Sequence, residues 1–183
     1  MIKRIFWGAA AAAVALFPSL TSGHAILLFP TSRQTGTQMS FTDVGIKIAT
    51  FPPTAAQLNS CLDSTPVAPQ EAFVAGSDVT VKWSITIPHQ NPPGVRVAVQ
   101  YDPQSDFIVL QDNIDVNALS ATLSLPADKS SDTAVLQWLW ASQEDGGFYM
   151  ACSDVMIKPA AAGNTGLSPQ EPVSPSAATP AGC

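Results

Sequence analysis

Between residues 24 and 158 the dominant pattern is an alternation of period two. Val79, Val81, Trp83, Ile85 and Ile87 alternate with Thr80, Lys82, Ser84 and Thr86. Val95, Val97, Val99 and Tyr101 alternate with Arg96, Ala98 and Gln100. Successive side chains of a strand point to opposite faces, so both segments predict half-buried strands. Further strand-like runs are Ala25–Phe29, Val44–Phe51, Phe107–Gln111, Ala121–Leu125, Ala134–Trp140 and Phe148–Ile157. Turn-forming clusters separate them: Pro52-Pro53, Asn91-Pro92-Pro93-Gly94, Asp128–Asp132 and Glu144-Asp145-Gly146-Gly147. Only Ala55–Leu62 suggests a helical turn or two. This punctuation predicts an all-β chain, an antiparallel β-sandwich of the immunoglobulin or fibronectin-III kind with irregular loops.

The two ends depart from this pattern. Met1-Ile2-Lys3-Arg4 is basic, Ile5–Phe17 is apolar and uncharged, and Pro18–Gly23 ends in small residues. That order is the grammar of a secretory signal peptide, and the apolar run is shorter than the ~20 residues a spanning helix needs. Cleavage after Gly23 would make His24 the first mature residue. A rival site follows Ala13-Val14-Ala15 and would leave an apolar new N-terminus. Residues 159–183 are Pro, Ala, Ser, Gly and Thr-rich and read as a disordered tail or linker. They hold no hydrophobic run of the kind a lipid anchor requires, so no membrane anchor is expected. The expected organisation is therefore signal peptide 1–23, sandwich 24–158 and tail 159–183, in a secreted, extracellular monomer.

Charge narrows the partners. The 183-residue chain holds eight Lys and Arg against 14 Asp and Glu, for a formal charge of −6. Loss of Lys3 and Arg4 with the signal takes the mature charge to −8. Phosphate backbones are bound by cations, so nucleic acid is not an expected partner. In a secreted chain Cys61 and Cys152 are expected to pair, with Cys183 free or intermolecular. The chain has only two His, His24 and His89. An N-terminal His can chelate a metal through its α-amine and ring Nδ1, and a second imidazole completes a T-shaped set of three nitrogens that suits Cu(II). His89 follows the Val79–Ile87 strand, in the turn that leads to the next strand. The plainer readings are a chance His beside a cleavage site and a solvated loop His.

These residues resemble a family. The start His24-Ala25-Ile26-Leu27-Leu28-Phe29-Pro30-Thr31-Ser32-Arg33 is similar to the mature opening of lytic polysaccharide monooxygenases. Gly76–Gly94, with Ile87-Pro88-His89, resembles their second-histidine region. Leu136–Trp140 and Phe148–Val155 resemble their closing strands. The resemblance implies a copper histidine brace made by His24, through amine and ring, and by His89. It implies Tyr149 as the axial and catalytic residue, with Phe148 the alternative, and a disulfide at Cys152. Strand parity puts Phe148 and Tyr149 on opposite faces. Where cellulose-active fungal members carry a Gln two residues before the axial Tyr, this chain has Gly147, leaving Gln143, Glu144 or Asp145 to substitute. The implied activity is copper-dependent oxidative cleavage of chitin, cellulose or a related glycan, using O₂ or H₂O₂ and an external electron donor. Alternatives are a non-catalytic copper-acquisition protein of the same fold and a carbohydrate-binding module.

Other candidates have simpler readings. Trp83 and Trp138 are expected in the core, and Trp140 shares a face with Trp138. Asp102, Asp106, Asp112 and Asp115 suggest a solvated edge, without calcium-loop spacing. There is no G-x-S-x-G motif for a hydrolase nucleophile.

Overall fold

A computed structural model describes residues 25–33, 46–85 and 92–160. Nine strands form in it: β1 (Ala25–Phe29), β2 (Ile46–Ile48), β3 (Glu71–Val74), β4 (Asp78–Ile85), β5 (Pro93–Gln100), β6 (Ile108–Ile114), β7 (Ser120–Ser124), β8 (Ser131–Ser142) and β9 (Gly147–Lys158). The helix α1 (Ala55–Leu58) is a single turn. One sheet has the order β1–β4–β7. The other has the order β2–β9–β8–β5–β6, with β3 also paired to β9. The expected all-β sandwich is the fold that forms.

Alternation places the core. Val79, Val81 and Trp83 of β4 face Val95, Val97 and Val99 of β5 in one cluster between the sheets. Leu136, Trp138 and Trp140 of β8 and Tyr149, Ala151 and Val155 of β9 complete it. The Trp83 and Trp138 rings lie 6.1 Å apart, and the Trp83 indole N–H donates to the Val116 carbonyl at 2.6 Å. All three tryptophans of the sandwich are buried, Trp140 included.

β8 and β9 are apolar on both faces because a third layer covers the outer one. Leu139, Ala141, Phe148 and Met150 pack there under Ile48, Phe51, Leu58 and Leu62. Polar groups fix this layer in place. The buried Gln137 amide donates to the Leu58 and Ser60 carbonyls at 3.2 and 2.7 Å. Thr54 and Gln57 form a reciprocal capping box at the start of α1. The Cys61–Cys152 disulfide, expected from sequence, joins the layer to β9 with a Cα separation of 5.9 Å.

The sequence pattern differs from the structure at β3, which it does not predict. Glu71–Val74 is short, does not alternate in polarity and follows Pro66 and Pro69. It pairs with β9 in parallel, against the antiparallel pattern elsewhere. The direction follows from connectivity. β4 runs toward the end of the sandwich where β9 begins, so β3 must run with β9 to deliver the chain to the start of β4. The corner between them uses Gly76 at φ +78°, with its position facing the Ala127 side chain.

β9 also anchors the segment after β1. The Arg33 guanidinium forms a two-bond pair with the Asp154 carboxylate, both bonds 2.8 Å, and both side chains are more than nine-tenths buried. The Arg33 amide donates to the Cys152 carbonyl at 2.8 Å, and the Ser153 hydroxyl donates to the Pro30 carbonyl at 3.1 Å. No sequence signal marked this pair, whose members lie 121 residues apart.

Candidate metal and polysaccharide site

One end of the sandwich gathers the residues of interest. β1 begins there, and its first residue, Ala25, pairs with Ile85, the last residue of β4. β5 begins at the same end, with Pro93 opposite Ser142, the last residue of β8. The β8–β9 turn closes it, its Gln143 amide donating to the Pro92 carbonyl at 3.2 Å. His24 and His89 lie outside the described residues, as do residues 1–23 and the tail beyond residue 160. Their described neighbours, Ala25, Ile85 and Pro92, all stand at this end.

Tyr149 enters the core two residues into β9. Its ring stacks on Trp140, centroids 5.1 Å apart and planes inclined by 26°. Its hydroxyl donates to the Asp145 carboxylate in the β8–β9 turn. The Asp145 amide in turn donates to the buried Ser142 hydroxyl at 3.3 Å. Burial first, and the bond to Asp145 second, push the Tyr149 hydroxyl far above the usual tyrosine range. The residue is a neutral phenol at any physiological pH.

Phe148 takes the opposite face, as parity requires. It is buried with Leu139, Ala141 and Met150 beneath the outer layer. Tyr149 shares its cluster with Ala25 and Leu27 of β1, and Phe148 does not. Of the two aromatic candidates, Tyr149 belongs to the core on which the start of β1 packs.

Gly147 is buried against β2. A Cβ built there would lie 2.4 Å from the Ile48 carbonyl oxygen. A side chain at this position requires β2 to move, so no Gln fits beside Tyr149 in that register. Of the three substitutes named from sequence, Asp145 is the one bonded to Tyr149.

Three residues of the acidic stretch make local backbone bonds. Asp102 accepts from the Gln104 amide, Asp112 from the Asn113 amide, and Asp115 caps the short 3₁₀ turn at Val116–Ala118. Among the described residues no Trp, Tyr or Phe is exposed, and no group of three or more His, Cys, Asp and Glu converges to hold a metal. No helix among them is long and apolar enough to cross a membrane.

No family model matches this chain, and no curated protein matches it. Among solved structures, the crystal structure of a chitin binding domain from Burkholderia pseudomallei aligns with a TM-score of 0.51 at 12% identity. The alignment covers 73% of this chain and 98% of that one. The chain therefore shares the fold of that domain across nearly the whole of the latter.

Proposed function

We propose that the mature chain is a secreted polysaccharide-binding protein that holds one copper ion at its N-terminus and oxidises the glycan it binds. The polysaccharide part is supported by the fold shared with a chitin binding domain. The observation that carries the copper part is the pairing of Ala25 with Ile85. Residue 24 is joined to the first and residue 89 follows the second by four positions, a reach of at most roughly 14 Å.

The donor set suits copper. The His24 amine and ring and the His89 ring are neutral nitrogen ligands, which favour Cu(II) among the common divalent ions. Of the two aromatic candidates, Tyr149 rather than Phe148 would lie on the side of the ion, because it shares the core cluster with Ala25. Its hydroxyl is committed to Asp145 and stays protonated, so it would add no phenolate charge to the neutral nitrogen set. Copper, when bound, supplies the one-electron redox chemistry and oxygen activation that side chains lack, with electrons from an external donor. The protein's own part is to present the nitrogens, shield one side with the Tyr149 ring and hold a glycan chain over that end. Binding requires an unprotonated amine, of ordinary pKa about 7.7–8.0, so copper affinity should rise as pH is raised toward 8.

The test uses the mature chain with His24 as its first residue, with copper and ascorbate on chitin and cellulose. Oxidised oligosaccharides in the mass spectrum support the whole proposal. Tight copper binding without product on either polymer leaves a copper-acquisition protein. One extra residue before His24 should abolish tight copper binding; unchanged affinity would remove the brace. A second reading, a carbohydrate-binding module without redox chemistry, is favoured by the description of the shared-fold domain as chitin binding. It requires retention on chitin that is the same with copper or with EDTA, and no oxidised product.

A further inference from the structure

The outer face of the larger sheet carries a groove that the proposed site does not use. Two clefts, of about 340 and 530 Å³, flank α1 and share Leu58 and Arg96. These volumes fall in the range of ligand clefts, roughly 300–1,000 Å³. The first is floored by Leu139 and Ala141, walled by Pro52, Pro53 and Pro93, and edged by Val109. Pro93 opens β5, so the groove begins at the end of the sandwich where the copper site is proposed.

Arg96 stands at the junction. Its Nη1 donates to the Leu58 carbonyl at 3.2 Å and to the Gln137 side-chain oxygen at 3.4 Å. Its Nε and Nη2 have no hydrogen-bond partner among the described residues. Among the described residues the only ion pair is Arg33–Asp154, so none of their carboxylates closes on Arg96. Partial burial lowers its pKa, and the field of Asp112 opposes that shift. The guanidinium thus offers an open pair of N–H donors beside a carboxylate, which accepts. Asp106 lines the second cleft.

This pairing selects the ligand. A carboxylate would match the Arg96 fork and meet Asp106, Asp112 and the protein's net negative charge. An ammonium group would match Asp112 and meet Arg96. Vicinal hydroxyls both accept and donate, and so satisfy the two side chains together. The C–H faces of a pyranose ring match the proline and aliphatic walls.

We propose that this groove binds a single chain of a neutral oligosaccharide, with Arg96 and Asp112 serving ring hydroxyls, and guides it toward the end of the sandwich. The proposal rests on the polysaccharide half of the proposed function and not on the copper half.

The test titrates the metal-free mature chain with cellohexaose, chitohexaose and, as an anionic control, hexagalacturonate, followed by amide and Arg side-chain NMR shifts. At least one neutral hexaose should shift Gly94, Arg96, Val109 and Asp112. Val109→Arg, at an exposed edge position, and Asp112→Asn should each weaken that binding tenfold or more with an unchanged unfolding midpoint. Shifts confined to Ala25, Ile85 and Gln143, or a less than twofold effect of both variants, overturn the groove and leave polysaccharide binding standing. Groove shifts with hexagalacturonate alone overturn the neutral-sugar assignment. No shift with any of the three overturns both the groove and the parent reading.

Discussion

A methyl group at position 147 would stand 2.4 Å from the Ile48 carbonyl oxygen, so this glycine sets how closely β2 approaches β9. Gly147→Gln should displace β2 and lower stability by about 1–3 kcal/mol, the usual cost of overpacking, measured by urea unfolding. The variant thus cannot import a second polar group beside Tyr149 without loosening β2, the strand paired beside it. Tyr149 makes a different prediction. The fold holds its hydroxyl, and to a lesser degree that of Tyr101, protonated above the ordinary tyrosine range. Above about pH 10 the unfolded chain loses these protons while the folded chain keeps them. Stability is therefore full below that pH and falls as pH rises beyond it. Tyrosinate absorbance of the folded protein at pH 10 should fall well below that of the unfolded chain, with the Tyr149 share appearing only on unfolding. Tyr149→Phe should flatten the alkaline loss and cost about 1.5–3 kcal/mol at neutral pH, the range for a bond to a charged acceptor. A tyrosinate signal at pH 10 from fully folded protein equal to that of the unfolded chain would contradict this account. At this scale the sequence was legible in part. The Glu144–Gly147 turn was readable, and the parity of Phe148 and Tyr149 was too. The Tyr149–Asp145 bond was not, because it depends on how the turn folds back over the first residues of β9.

Among the elements, β9 makes the most connections. It pairs with β2, β3 and β8, carries Cys152 and Asp154, and receives the amide of Arg33. The disulfide spans 91 positions. Loss of a closed loop of that size should cost about 4–5 kcal/mol in the chain-entropy view. Cys61→Ser with Cys152→Ser should lower the denaturant midpoint accordingly, with native-like near-ultraviolet circular dichroism retained in water. A midpoint within error of the parent would show that the outer layer is held by Gln137 and the apolar contacts alone. β4 and β5 were legible because each has one face in the core and alternates accordingly. β8 and β9 read as strands although both of their faces are buried, because their runs are long and bounded by turns. β3 was illegible for a physical reason. Its four residues are specified by a parallel partner more than 80 positions away, and local pattern carries no trace of that pairing.

For the whole molecule, the two histidines were visible as chemistry long before any geometry. What the sequence could not say is that the strand after His24 and the strand before His89 are neighbours, since that is a non-local pairing. A chain ending at Asp145 lacks the partner of β2, β3 and β8 and should show no cooperative unfolding transition by calorimetry. A sharp transition in that truncation would mean that β1, β4, β5, β6 and β7 form a stable unit alone. The same dependence has a consequence in time. Synthesis runs from N- to C-terminus, and most of the strand pairs reached through β9 are distant in sequence, which slows their formation. The larger sheet gains the strand that joins β2, β3 and β8 only when the residues up to Lys158 have been made. A nascent chain of this sequence therefore remains open through most of its own translation, the form in which a polypeptide can be threaded through a narrow channel.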